Sequence, residues 1–245
     1  IYDQSWRVSW LVLGSLVLGV AVICYLVLRN SPQQCGLLPV GMAADRQPEQ
    51  GRVILVDAPR IRSSFILRCA AIYFLFGFTY IIYATFIVTA LVQEKGFTEA
   101  VAGNFWSWVG LLSLFSGPVF GLFSDRFGRR PGLMLVFAIQ AMAYLLIAFE
   151  LPPFFLYLSI GLYGLVLWSV PAIMAALVGD YAGAERVATL FGFVTFIFGL
   201  GQVSGPFLAG ILAEMSGSFA SSFLMAAVLA LAAVIVSAFL PKKQH

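Results

Sequence analysis

The sequence predicts an all-α polytopic membrane protein with seven transmembrane helices, the last six forming a bundle of two inverted three-helix repeats. Three observations carry this. First, 61% of the residues are apolar and 10% charged, against about a quarter charged in a soluble domain. A soluble globule of this composition would have no water-compatible surface. Second, the charges cluster and leave seven long gaps. These run from Arg7 to Arg29, Arg68 to Glu94, Glu99 to Asp125, Arg130 to Glu150, Glu150 to Asp180, Arg186 to Glu214 and Glu214 to Lys242. Each exceeds the roughly 18 residues a helix needs to cross a hydrocarbon core. Third, one Gly-Pro-acid pattern occurs twice, three helices apart. Strands are excluded, because an open sheet in lipid leaves its edge groups unpaired, and barrel strands would alternate polar and apolar residues.

The chain organises as a first helix (residues 1–30), a linker (31–63) and a six-helix bundle (64–245). The linker holds Pro32, Pro39, Pro48 and Pro59 with many of the arginines, and cannot bury a core. The other connections are short, at Gln93–Thr98, Asp125–Arg130 and Leu151–Pro153, so the helices they join pack as antiparallel neighbours. Threading seven spans places twelve of the Lys and Arg residues on one side. Arg7 and Lys95 stand alone on the other. The positive-inside rule makes the richer side cytoplasmic, so the C-terminus is expected inside and the protein in the inner or plasma membrane. The basic residues therefore imply no nucleic-acid partner. The chain starts at Ile1 with no signal sequence before the first span, which predicts that it is part of a longer protein. Cys24, Cys35 and Cys69 lack metal-ligand spacing, and His245 is the sole histidine. No cofactor or metal is expected.

The second helix of the six ends Gly117-Pro118-x2-Gly121-x3-Asp125-x2-Gly128. The fifth ends Gly205-Pro206-x3-Gly210-x3-Glu214-x2-Gly217. Because three helices separate the copies, they fall on opposite faces of the membrane, which is how inverted-repeat transporters are built. In the first copy, Gly121 is expected to allow close helix approach. Asp125 is placed to cap exposed N–H groups, and Gly128 to make a turn that other residues resist. Arg126, Arg129 and Arg130 are expected to pair with acids at neighbouring helix ends, of which Asp180 and Glu185 are at hand, or with lipid phosphate. An arginine of this group is expected to tie the inner face to Asp180 in a gating contact, with Arg126 the first to test by charge reversal.

The run Gly121-Leu-Phe-Ser-Asp125-Arg126-Phe-Gly128-Arg129-Arg130 resembles the Gly-x3-Asp-Arg-x-Gly-Arg-Arg motif of the major facilitator superfamily, in the matching place between the second and third helices of a half. The resemblance implies the C-terminal half of such a transporter: one helix closing a first half, a basic linker, then six helices. Its partners would be the lipid bilayer, a small-molecule substrate and the N-terminal half of the same carrier. Trp6-Arg7-x2-Trp10, Asn30-Ser-Pro32-x2-Cys-Gly36-Leu37-x-Pro39 and Gly199-x-Gly201-Gln202-x2-Gly205-Pro206-x3-Gly210 are similar to segments of the oxalate/formate-antiporter and monocarboxylate-porter branch. Those carriers place a basic residue inside the second or fifth helix of this half, whereas residues 100–124 and 187–213 hold no charge.

With no charge deep in the spans, the candidate substrate contacts are uncharged polar and aromatic groups. Tyr73, Phe76, Tyr80 and Tyr83 recur at helical spacing on one face of the first helix of the bundle. Asn104 and Trp108 lie four residues apart on the second, Tyr163 and Trp168 on the fourth, and Thr195 and Gln202 seven apart on the fifth. In the superfamily's fold these four helices line the central cavity. Gln140, on the third helix, is expected to make an interhelical hydrogen bond. A seven-helix receptor would leave the repeat and the Asp125 motif unexplained. A retinal protein needs a Schiff-base lysine that the last span lacks. An enzyme would need a His, a paired acid or an activated nucleophile inside the membrane, and a channel a selective ring of charges or carbonyls. Alternating-access carriage of a small organic solute is the function the sequence favours, and the branch resemblance implies an anion of monocarboxylate type.

Overall fold

In the computed structural model, the described residues are 6–29, 32–36, 63–183 and 186–241. Glu185 and the predicted linker, apart from the short 3₁₀ turn Pro32–Cys35 with Gly36 after it and Ser63, lie outside them. The chain divides into two units, Ile1–Val56 and Asp57–His245. The first contains helix α1 (Trp6–Val27), apolar on every side as a membrane span should be.

The second unit is built from α2 (Ser63–Gln93), α3 (Glu99–Phe127), α4 (Arg129–Ala148), α5 (Pro153–Val166), α6 (Ser169–Ala182), α7 (Val187–Ser216) and α8 (Ala220–Ala238). Helices α5 and α6 form one span, so α1 and the second unit together supply seven candidate crossings, as expected. The interruption between them has a local cause. Pro171 has no N–H and its ring crowds the carbonyl four residues back, at Leu167. The break is held from α3: Ser116 Oγ accepts the Trp168 N–H at 3.1 Å, and the Ser116 carbonyl accepts the Ser169 hydroxyl at 3.0 Å. A break inside a membrane persists only when a neighbour satisfies it in this way.

Helix packing within the second unit shows the inverted repeat. If α2, α3 and α4 are exchanged with α5/α6, α7 and α8, the contacts map onto each other. The α2–α7 contact becomes α3 with α5 and α6, α2–α8 becomes α4 with α5 and α6, and α3–α4 becomes α7–α8, while α4–α8 maps onto itself. The shared sequence is longer than Gly-Pro, since Ser116-Gly117-Pro118 stands opposite Ser204-Gly205-Pro206. The two copies pack differently. On the α2–α7 side the backbones touch: a Cβ at Gly205 would meet the Phe78 backbone, one at Gly201 the Phe74 and Phe78 backbone, and one at Gly77 the Phe198 carbonyl. At Gly117 the same addition would meet only Ala172 Cβ, at 3.9 Å, and in this copy the close backbone approach falls instead at Gly164, whose added Cβ would lie 3.1 Å from Val109 Cα.

The interior is aromatic. Tyr83, Tyr144 and Tyr163 are fully buried and in mutual ring contact, with Tyr83 and Tyr163 stacked at 4.2 Å. Gln140 departs from expectation. It is fully buried, yet neither amide atom reaches a hydrogen-bond partner among the described residues. The helix that α4 packs against most extensively, α8, buries alanines along its middle (Ala226, Ala230, Ala233), and these offer no polar group.

Candidate functional site

Two places gather the residues singled out above. The first is at mid-span. Tyr80 is the 18th of the 31 residues of α2, Trp168 the 16th of the 30-residue α5/α6 span, and Gln202 the 16th of the 30 residues of α7. Tyr80 joins all three elements. Its hydroxyl accepts the Gln202 side-chain N–H, its ring lies 6.3 Å from that of Trp168, and its carbonyl accepts the Tyr163 hydroxyl at 2.9 Å. Phe76 and Phe198 extend the Tyr80 ring into a nearly parallel stack, 13° and 11° from its plane. Pro206 cannot donate to the Gln202 carbonyl four residues earlier, so that residue presents a backbone acceptor as well as an amide.

Trp168 is 49% exposed. Aromatic belts sit at the two membrane interfaces, and a mid-span indole facing hydrocarbon would leave its N–H unsatisfied. A polar or protein-covered side therefore suits it better than lipid. The other candidates divide. Asn104, Trp108 (59% exposed) and Thr195 lie on exposed faces nearer the span ends. Tyr83 and Tyr163 lie inside the bundle instead. The Tyr83 hydroxyl shares a 2.9 Å hydrogen bond with Ser159, which in turn donates to the Ala143 carbonyl at 2.7 Å. Tyr163 holds the backbone of Tyr80 rather than any open surface. Sequence reasoning missed Ser116, Ser159 and Phe198. The signals available for the first were the Ser-Gly-Pro repeat and Pro171.

The second place is the arginine-rich end. Gly128 has φ 104°, a conformation side chains resist, and it turns α3 directly into α4. Beside it Arg129 bridges two acids: its guanidinium pairs with Asp125, donates to Asp180 at 3.1 Å and also reaches Ser124 Oγ at 2.8 Å. The side chains of Arg129 and Asp180 are 18% and 24% exposed, that of Asp125 56%. Three expectations are thereby corrected. The arginine that pairs with Asp180 among the described residues is Arg129 rather than Arg126, which stands exposed with its guanidinium 5.7 Å from the Phe127 ring. The reason is geometric, since Arg129 opens α4 facing α6 whereas Arg126 is still on the last turn of α3. Asp125 caps no helix, because the N-cap of α4 is Gly128 and has no side-chain bond. The close approach falls at Gly132, where a Cβ would lie 2.7 Å from Ser124 Cβ, and not at Gly121, which has open space around it. Half-buried Arg130 lines a cavity of about 670 Å³ with Asp125, Arg129, Asp180 and Tyr181.

The opposite end carries a matching tie. Glu94, just beyond α2, accepts the backbone N–H of Phe219 at the start of α8 at 2.6 Å. The repeat places Glu94 opposite Asp180 and Phe219 opposite the Gly128–Arg129 turn. Each end thus holds an acid from one three-helix unit against the start of the last helix of the other.

An inverted-repeat helical bundle, with a broken span and a polar cluster at mid-depth, is the architecture of a secondary transporter. The chain belongs to the major facilitator superfamily: residues 3–237 match the family described as "Uncharacterised MFS-type transporter YbfB". It is 33% identical over 156 residues to the tetracycline resistance protein, class B, of Escherichia coli, covering 62% of this chain and 38% of that protein. It is 32% identical over 159 residues to human solute carrier family 67 member A1 (63% and 37%). With rat solute carrier family 22 member 18 it shares 29% over 210 residues (84% and 47%). The chain spans less than half the length of these relatives.

Proposed function

We propose that the protein to which this chain contributes is an alternating-access carrier of a small organic solute. On this reading residues 64–245 are the C-terminal bundle, α1 closes an N-terminal half, and the solute lies between the halves. The observation that carries the proposal is the mid-span cluster of Tyr80, Trp168 and Gln202, in which three spans bring uncharged polar groups to the depth where such carriers bind. The arginine-rich end is cytoplasmic by the positive-inside rule, which puts the C-terminus inside. The Arg129 bridge is then the inner-face tie and the Glu94 bond the outer one, each to be broken once per cycle. Asn104, Trp108 and Thr195 are proposed to line the cavity, with Tyr83 and Tyr163 holding the wall from behind. A monocarboxylate-like anion, suggested by the resemblance of the 199–210 run, would need its cationic partner from outside this chain.

The test is uptake by proteoliposomes containing the full-length protein, across a panel of small organic solutes. Gln202→Leu is expected to impair transport with normal membrane insertion and folded yield, because Leu is readily accommodated in a membrane helix. Unchanged uptake kinetics in this variant would remove Gln202 from the site.

A further inference from the structure

The charge and shape of the mid-span cluster reach beyond solute carriage to the kind of solute. The nearest charges along the three helices that form it are Arg68, Asp180 and Glu214. Each is twelve residues from its cluster member, Tyr80, Trp168 and Gln202 respectively, or ~18 Å at 1.5 Å per residue. An ionised group brought to this depth would be desolvated with no counter-charge from the described helices, which disfavours it strongly. The wall is flat as well as neutral. Phe76, Tyr80 and Phe198 form one nearly parallel ring stack, and Trp168 stands exposed beside it with a planar face that has no stacking partner among the described aromatic contacts except the tilted Tyr80 ring, at 56°. The amide of Gln202 spends one N–H on Tyr80, leaving a second N–H and the carbonyl. A side-chain amide so presented pairs with a ligand edge that carries a donor next to an acceptor, as Gln does with adenine.

We infer that the cluster selects an uncharged, planar aromatic solute whose edge presents a hydrogen-bond donor beside an acceptor, as in a lactam or an amino-substituted heterocycle. Trp168 stacks on the ring and Gln202 reads the edge. The inference rests on the reading of the mid-span cluster as the solute site.

The experiment is equilibrium dialysis of the full-length protein in detergent with tritiated 2-quinolinone, a neutral aromatic lactam. Its competitors are N-methyl-2-quinolinone, which lacks the donor, caprolactam, which lacks the ring, and quinoline-4-carboxylate, which carries a charge. The N-methyl compound and caprolactam are each expected to compete about tenfold more weakly than unlabelled 2-quinolinone, the size of one lost contact, and the carboxylate more weakly still. Trp168→Leu is expected to weaken 2-quinolinone about tenfold without changing caprolactam, and Trp168→Phe to recover part of that loss. Gln202→Leu should bring 2-quinolinone and its N-methyl derivative to equal strength. Competition by the carboxylate or caprolactam as strong as that of 2-quinolinone would overturn the inference. So would an equal loss of every compound in Trp168→Leu, which would mark a packing defect. If 2-quinolinone does not bind while proteoliposomes take up other organic solutes, the selectivity inference fails and the carrier reading stands. If no solute is taken up at all, the carrier reading fails and takes the inference with it.

Discussion

Removing the guanidinium of Arg129 should loosen the arginine-rich end without unfolding the bundle. Asp180, with a side chain 24% exposed, would lose a charge-assisted bond of 3.1 Å, a loss of about 1.5–3 kcal/mol when such a group is partly shielded. Asp125 is more than half in water, and its pairing adds less than ~1 kcal/mol. The sum is about 1.5–4 kcal/mol. Since ~1.4 kcal/mol shifts a two-state population tenfold, Arg129→Ala should favour the arrangement open at this end by roughly tenfold or more. Thr195, exposed on α7 between this end and the mid-span, is a suitable reporter once changed to cysteine. Its modification by an impermeant maleimide in inside-out vesicles of the full-length protein should accelerate at least tenfold in Arg129→Ala. Arg126→Ala should leave the rate within about twofold, because an exposed arginine contributes little. The reversal Arg129→Asp with Asp180→Arg should recover part of the change, limited by repulsion between the new aspartate and Asp125. An Arg126→Ala effect as large as that of Arg129→Ala, or no effect of either, would refute the reasoning.

Further predictions concern packing and orientation. Gly205→Ala drives a methyl group into the Phe78 backbone, which cannot swing aside as a side chain can, and should cost about 1–3 kcal/mol, read as lower thermal stability in detergent; Gly121→Ala, facing open space, is the unaffected control. Gln140→Leu removes a buried amide without a partner among the described residues, so thermal stability should rise by about 1 kcal/mol or more, and a fall would reveal a bond absent from the structure. Ser116→Ala strips the acceptor from the Trp168 N–H at the α5–α6 break and should destabilise by about 1–3 kcal/mol, with faster amide exchange confined to residues near 167–169. Cys35, exposed at the end of the 3₁₀ turn, should react with an impermeant thiol reagent only after cells are opened; labelling of intact cells would reverse the proposed orientation.

The number of spans, their ends and the turn at Gly128 were legible in the sequence because each has a local cause. A run of apolar residues crosses lipid whatever packs beside it, and a glycine between two helices reports its own backbone requirement. The Pro171 break is of the same local kind. The inverted repeat was visible because Gly-Pro-acid spacing survives in both copies. The rotation of each helix about its axis was decided only in the tertiary structure. A soluble helix advertises its inward face by polarity, but a membrane span is apolar all round, so Tyr83 and Trp168 look equally suited to a cavity until packing buries one and exposes the other. The pairing of Arg129 rather than Arg126 with Asp180 has the same origin. Three arginines within five residues are equivalent as charges, and which one meets an acid on α6 depends on the direction in which α4 leaves the Gly128 turn. Gly132, not Gly121, marks the tight crossing for that reason too, since small residues permit close approach anywhere and only the crossing of α3 with α4 determines which of them is used.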